Sequence, residues 1–503
     1  MKLLKNTRKK VVTLAVASAL GGVAMMSAPA HAMNVAQDGK GEVLLFPYYT
    51  VRNGFDTIFS VVNTSDRTVL FKVRFREAKN SREVRDFNVA LSPHDVWTAG
   101  VTASGADGAL VRTFDKSCTS PILPAGPNGS TEVGFTSLGY DGSDSQFVYD
   151  NGGRNLSRVQ EGYIEVIEMA YSTVPESQIT SANVIEFATK HVNGVPNSCT
   201  TFDQSFAPLV LTDPKWASFT APANVLVGNA TLINVASGKA IDATPTAIQG
   251  FQDQNAIIFA PGDLQPSLAD GNVGPTVNML VDGALAAVTI TPAIVPGSVE
   301  AVSALITANS LINEYASGGT ETSGARTDWV VTFPTKHHYT DSPISTFTQL
   351  QTQPPFHQAF QPTGQSCDPI SLSLYDREEK TTTTVNSTDF SPRPTGPGGV
   401  SLCNEVNVLN FTNSTSPLVV LGSSVQLAVN TAPVGSSGWA SLNLRATDGT
   451  ESPVVGPWAA TGLTGLPAIG FSAIERNNSV DAGNNRNYGS GSDHARTVVV
   501  AAP

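Results

Sequence analysis

Charge is scarce in this sequence. Only 14% of its 503 residues are Asp, Glu, Lys or Arg, against about a quarter in an ordinary soluble domain. The surface must therefore lean on Ser, Thr, Asn, Gln and Gly. Basic residues are the scarcer sign, 30 against 42 acidic, for a net charge of −12. That balance argues against nucleic acid as a general partner. Past the N-terminal leader no uninterrupted apolar run approaches the roughly 18 residues of a helical membrane span. Long helices are disfavoured by 43 Gly and 32 Pro. There is no G-x-S-x-G elbow, no H-E-x-x-H, no Walker A loop and no dinucleotide fingerprint, so no cofactor is implied.

What remains is enough to fold. The hydrophobic fraction is 41%, which excludes wholesale disorder. The N-terminus reads as an export leader. Lys2, Lys5, Arg8, Lys9 and Lys10 precede the apolar 11–26 stretch, and Ala30-His31-Ala32 fits signal cleavage near Ala32. No Cys follows that site for lipid attachment. Loss of the leader's five basic residues leaves 25 basic against 42 acidic, a net charge of −17. The four cysteines, Cys118, Cys199, Cys367 and Cys403, read as disulfides in an exported chain. Three pairings are open, and sequence proximity favours 118–199 with 367–403.

The 42–103 region is the clearest. Residues 42–51 (EVLLFPYYTV) are apolar and β-prone, Asn53-Gly54 is a hairpin signal, and 55–63 makes the return strand. In 68–76, Val73 and Phe75 face one way and Lys72, Arg74 and Arg76 the other. A fourth strand runs over 83–91. Short strands with turn signals between them predict a mainly β fold, an antiparallel immunoglobulin-like β-sandwich with long loops. One helix is expected over 298–317, because Ala301, Leu305, Ala308, Ile312 and Tyr315 recur on one face. The expected organisation is a signal peptide (1–32), a sandwich domain (33–215), a β-rich middle with the helix (216–345), a Pro/Thr/Ser-rich connector (346–400) and a C-terminal β region (401–503).

The segments FPYYTVRNGFDT (46–57), VRFREAKNSREVRDFNVALSPHDVW (73–97), DWVVTFPTK (328–336) and YDREE (375–379) resemble those of an exported, largely uncharacterised group of Gram-negative bacterial surface proteins. The resemblance implies export and a β-rich fold, and it carries no catalytic residue.

Several groups are candidates for chemistry. His337 and His338 follow a strand, and in extended backbone they point to opposite faces. Asp141, Ser143 and Ser145 alternate in a Gly-rich loop near Asp144 and Asp150. The EF-hand pattern fails there, and an irregular calcium site stays open beside a solvated loop. Glu161 and Glu165 lie on one strand face about 13 Å apart, too far for a glycosidase pair. Tyr48, Tyr49 and Trp97 are candidate ligand aromatics or ordinary core. The departure from the acidic background is a basic row: Lys72, Arg74, Arg76, Lys79, Arg82 and Arg85 fall within 15 positions. It reads either as an edge strand guarded by charge or as a docking surface for an acidic partner, another copy or a second surface component. Three functions stay open: a self-assembling structural surface protein, a glycan-binding module, and a hydrolase without a motif.

Overall fold

The computed structural model describes residues 32–145, 147–272, 274, 276–281, 284–290, 296–320, 323–340, 355–356, 358–379, 381–382, 400–413, 418–444, 463–478 and 487–499. The expected signal peptide (1–32) lies outside them, apart from Ala32. The described chain is mainly β, in several antiparallel sheets with few and short helices. Among the described residues no helix is long and apolar enough to cross a membrane.

Four larger sheets organise the molecule. Sheet I runs, strand by strand, Ala284–Thr289, Thr276–Val281, Met33–Val35, Thr246–Gln249, Val43–Thr50, Glu161–Pro175, Arg67–Glu77, Glu83–Leu91 and Cys118–Ser120. Sheet II runs Thr131–Gly134, Gly108–Thr113, Val96–Ser104, Asp56–Asn63, Leu226–Asn234 and Lys239–Asp242. The two pack face to face through aromatic rings. Phe59 of sheet II meets Phe46 and Phe75 of sheet I at 5.8 Å, and Trp97 meets Phe87 at 5.7 Å. Edge-to-face pairs of this kind add about 0.5–1.5 kcal/mol each beyond area burial.

The Asn53-Gly54 turn forms, with both residues at positive φ (53° and 75°). It does not close a hairpin. The strands on either side enter opposite sheets, so the turn carries the chain across the sandwich rather than back along one sheet.

Sheets III and IV form a second layered pair. Sheet III contains Asp368–Asp376, Ser437–Asn443, Ser310–Ala316 and Ala495–Thr497 in that order, and sheet IV contains Gln426–Asn430, Val406–Thr412, Ser323–Thr332, Ile469–Asn478 and Tyr488–Asp493. Tyr315 of sheet III stacks on Phe411 of sheet IV at 5.2 Å. Val330, Val408 and Phe471 of sheet IV join the core of the first sandwich. From Ala32 onward the described residues accordingly form one compact unit.

Two expectations about organisation change. The boundary at 215 would cut the first sandwich, because Leu226–Asn234 pairs along its length with Asp56–Asn63. Part of the expected connector is a sheet strand: Asp368–Asp376 pairs with Ser437–Asn443.

The expected 298–317 helix is also corrected. Helix occupies only Gly297–Ile306, and Ser310–Ala316 is a strand paired on both sides. Leu311 and Tyr315 are buried there while Ile312 is only partly so. Leu311 and Tyr315, four apart, share a face in a strand as well as in a helix, whereas the three-residue step from Ile312 to Tyr315 puts those two on opposite faces of the strand. Pairing with two neighbours decided it. The helix that does form is buried all round.

The disulfides join Cys118 to Cys199 and Cys367 to Cys403. They close loops of 81 and 36 residues, worth about 4 kcal/mol each in the entropic model.

Candidate functional site

The basic row alternates as its spacing requires. Val73 and Phe75 enter the core between sheets I and II, and Lys72, Arg74 and Arg76 share the other face. That face is not a surface, and Arg67–Glu77 is not an edge strand. It lies between Glu161–Pro175 and Glu83–Leu91. Lys72, Arg74, Arg76 and Arg82 are all buried. Both sequence readings of the row, edge guard and exposed docking stripe, are corrected by this burial. Its cause is distant in sequence: the 260–266 segment and the short helix His337–Thr340 cover the face.

Each cation has a partner. The Lys72 ammonium pairs with Asp86 at 3.1 Å and donates to the carbonyls of Ala260, Asp263 and Gln265. Arg74 binds Glu83 at 2.5 Å and the Pro266 carbonyl at 3.0 Å. Arg76 binds Glu165 at 2.8 Å and donates to the Ser81 carbonyl. Lys79 donates to Gly152 and Arg85 to Gly134. Arg82 lies 3.7 Å from Asp150.

The centre of this seam is a residue that sequence reading passed over. Arg158 makes a two-pronged pair with Asp150 (2.8 and 2.7 Å), reaches Glu77 at 2.9 Å and lies 4.0 Å over the Tyr140 ring. Glu77 also accepts from the backbone N–H groups of Lys79, Asn80 and Arg82, which shapes the turn carrying the second half of the row. No local signal marks Arg158, since its partners lie 8 and 81 residues away.

Electrostatics follow from the pairing. Burial works to raise Asp150 and Glu83, but Arg158 and Asn80 on the one, and Arg74 and Arg76 on the other, outweigh it and hold both below the usual carboxylate range. Burial lowers Lys72 against the pull of Asp86. The row also borders a cavity of about 370 Å³ that His337 and His338 share with Arg74, Arg76, Arg82 and Glu83. The two rings do not diverge as extended backbone would make them. They sit on the His337–Thr340 helix with centroids 4.1 Å apart. Burial, with Arg74 and Arg76 adjacent, drives His338 down to about 3 and His337 well below its ordinary value, so both are neutral at pH 7.

The seam also joins the two sandwiches. Glu405 and Val406 donate backbone N–H groups to Lys79 and Ala78 at 3.0 and 2.8 Å. Thr332 donates to the Pro47 carbonyl at 2.6 Å, and Glu161 accepts from Tyr48, Arg52 and Ser424.

The other candidates fall into place around it. Tyr48, Tyr49 and Trp97 are fully buried. Asp141 accepts from Ser137 and Ser143, whereas Asp150 turns inward to Arg158, so the loop carboxylates do not converge. Among the described residues no group of three or more His, Cys, Asp or Glu could hold a metal ion. Ser92, Asp95 and His191 meet, but serine and aspartate approach the same ring nitrogen, at 3.1 and 3.3 Å. A relay needs them on opposite nitrogens. Comparison with family models, with curated proteins and with solved structures finds no match to this chain.

Proposed function

We propose that this protein is an exported, non-enzymatic structural component of the cell surface or extracellular space, built to self-assemble. The observation that carries the reading is the buried ionic seam. In a chain with so few charges, the densest basic segment is spent inside the molecule, tying strands, loops and the second sandwich into one body. Two disulfides closing long loops, the leader-like N-terminus and the resemblance to Gram-negative surface proteins support the same reading. The sheet I and II pair is read as the immunoglobulin-like sandwich of this scaffold.

Self-assembly cannot use Lys72, Arg74, Arg76 and Arg82, which are buried. It is assigned instead to the edge strand Ala284–Thr289 (ALAAVT). This strand pairs on one side only among the described residues, carries no charge, and leaves Leu285 70% exposed. An uncharged, apolar free edge is a template for another strand, and a second copy supplies one. Cell fractionation with negative-stain microscopy tests the reading. Layers or filaments at the surface, dispersed by Leu285→Lys, are expected. A monodisperse cytoplasmic monomer would reject it.

A further inference from the structure

Three of the described tryptophans, Trp97, Trp216 and Trp329, are buried; Trp439 is 42% exposed. It stands on sheet III in register with Tyr375 on one neighbouring strand and Glu314 on the other. Its ring lies parallel to Tyr375, 4.1 Å away at an interplanar angle of 9°. This close approach is built into the backbone. At the preceding Gly438 a Cβ would stand 1.8 Å from the Tyr375 carbonyl oxygen, so only glycine admits the pairing. Trp439 also lines a cleft of about 270 Å³ together with Glu314 and Arg476 and with Asp376 and Arg377, which follow Tyr375. Glu314 and Arg476 face each other at 3.7 Å, with side chains 60% and 48% exposed. Asp376 and Arg377 belong to the YDREE segment.

We propose that this cleft binds a neutral pyranose unit of a polysaccharide, with Trp439 as its stacking wall. A pyranose ring has an apolar C–H face and a rim of hydroxyls that donate and accept. The cleft offers the complement: a flat indole held upright by Tyr375, beside an exposed carboxylate–guanidinium pair. Its two carboxylates and two guanidiniums balance, which removes any net field that would select a charged ligand. Its volume is near the lower end for ligand clefts, about 300 Å³, and suits one ring of a chain passing over the sheet. The inference does not depend on self-assembly.

The probes are maltohexaose, cellohexaose, laminarihexaose and mannohexaose, followed by saturation-transfer NMR and tryptophan fluorescence on the full chain. At least one hexaose should receive saturation at its ring C–H protons. Trp439→Ala should weaken that binding about tenfold or more, about 1.4 kcal/mol, while Trp439→Phe should stay within about threefold of wild type. N-bromosuccinimide provides a readout that needs no variant: it should oxidise Trp439 in the free protein and be blocked by the bound hexaose. Absence of transfer to all four sugars would overturn the proposal. So would oxidation of Trp439 at an unchanged rate under saturating sugar, or a folded Trp439→Ala protein that binds as wild type does.

Discussion

Glu77, Asp150 and Glu165 in the ionic seam and Glu42, Glu168 and Glu300 elsewhere are buried to the same degree, each 3% exposed or less. Their settings are opposite. The seam carboxylates face guanidiniums at 2.7–2.9 Å. Among the described residues the second group faces no cation: Glu300 accepts from the Tyr339 hydroxyl, Glu42 from the Gln252 N–H and Glu168 from the Ala223 N–H. Burial therefore pushes Glu300 up to about 8 and Glu42 up to about 7, each only partly offset by its hydrogen bonds. Glu168 is raised too, by burial and by Glu42. Depth alone does not set the state of a buried acid here; the partner does. Guanidiniums compensate the first set, whereas in the second burial favours the protonated form.

The strongest way to break the contrast is to remove the seam's central cation. Arg158→Met should cost about 3–5 kcal/mol, because it strands Glu77 without its guanidinium and leaves Asp150 only Arg82 at 3.7 Å. Urea unfolding at neutral pH measures it. A loss below about 1 kcal/mol would show that the seam is not a cohesive element.

The converse change removes an acid that lacks a cation. The folded-state value of Glu300 lies above its unfolded value of 4.5. Its contribution is fully present below about pH 4.5 and is lost as pH rises toward about 8. Glu300→Gln keeps an acceptor for Tyr339, so it should leave stability unchanged at pH 4 and gain about 4 kcal/mol at pH 8. Thermal melts of both proteins across that range decide it.

The wild-type pH profile sharpens the same comparison with a smaller effect. Asp150 and Glu83 are held low, so their contribution is present above the unfolded carboxylate range and is lost as pH falls through their depressed values. Glu42, held at about 7, loses its contribution between pH 4.5 and 7. The melting temperature should therefore fall on both sides of mildly acidic pH. Glu42→Gln should flatten only the upper limb.

The smallest effect is a control outside both groups. Arg112 and Glu132 form a close pair on sheet II, but their side chains are 35% and 28% exposed. Arg112→Ala should change stability by no more than about 1 kcal/mol. A loss comparable to that of Arg158→Met would mean that burial adds nothing to the strength of a pair.

Some of this was readable from residues alone. Alternation in 68–76 determined that Lys72, Arg74 and Arg76 share a face opposite Val73 and Phe75, because strand side chains alternate whatever lies around them. Proximity in sequence anticipated both disulfides. The β-rich character followed from short apolar runs broken by Gly, Pro and Asn. What covers a strand face was not readable, because that depends on segments far away in the chain. The 260–266 loop and the His337–Thr340 helix turn an apparent surface stripe into an interior seam. Arg158 finds Glu77 across 81 residues, and Leu311 enters a strand because two neighbours pair with it. The glycine before Trp439 could be seen in the sequence, but only the register places Tyr375 on one side of that tryptophan and Glu314 on the other. Periodicity is a property of the local backbone, whereas burial, charge pairing and exposed aromatics are set by which distant segments meet.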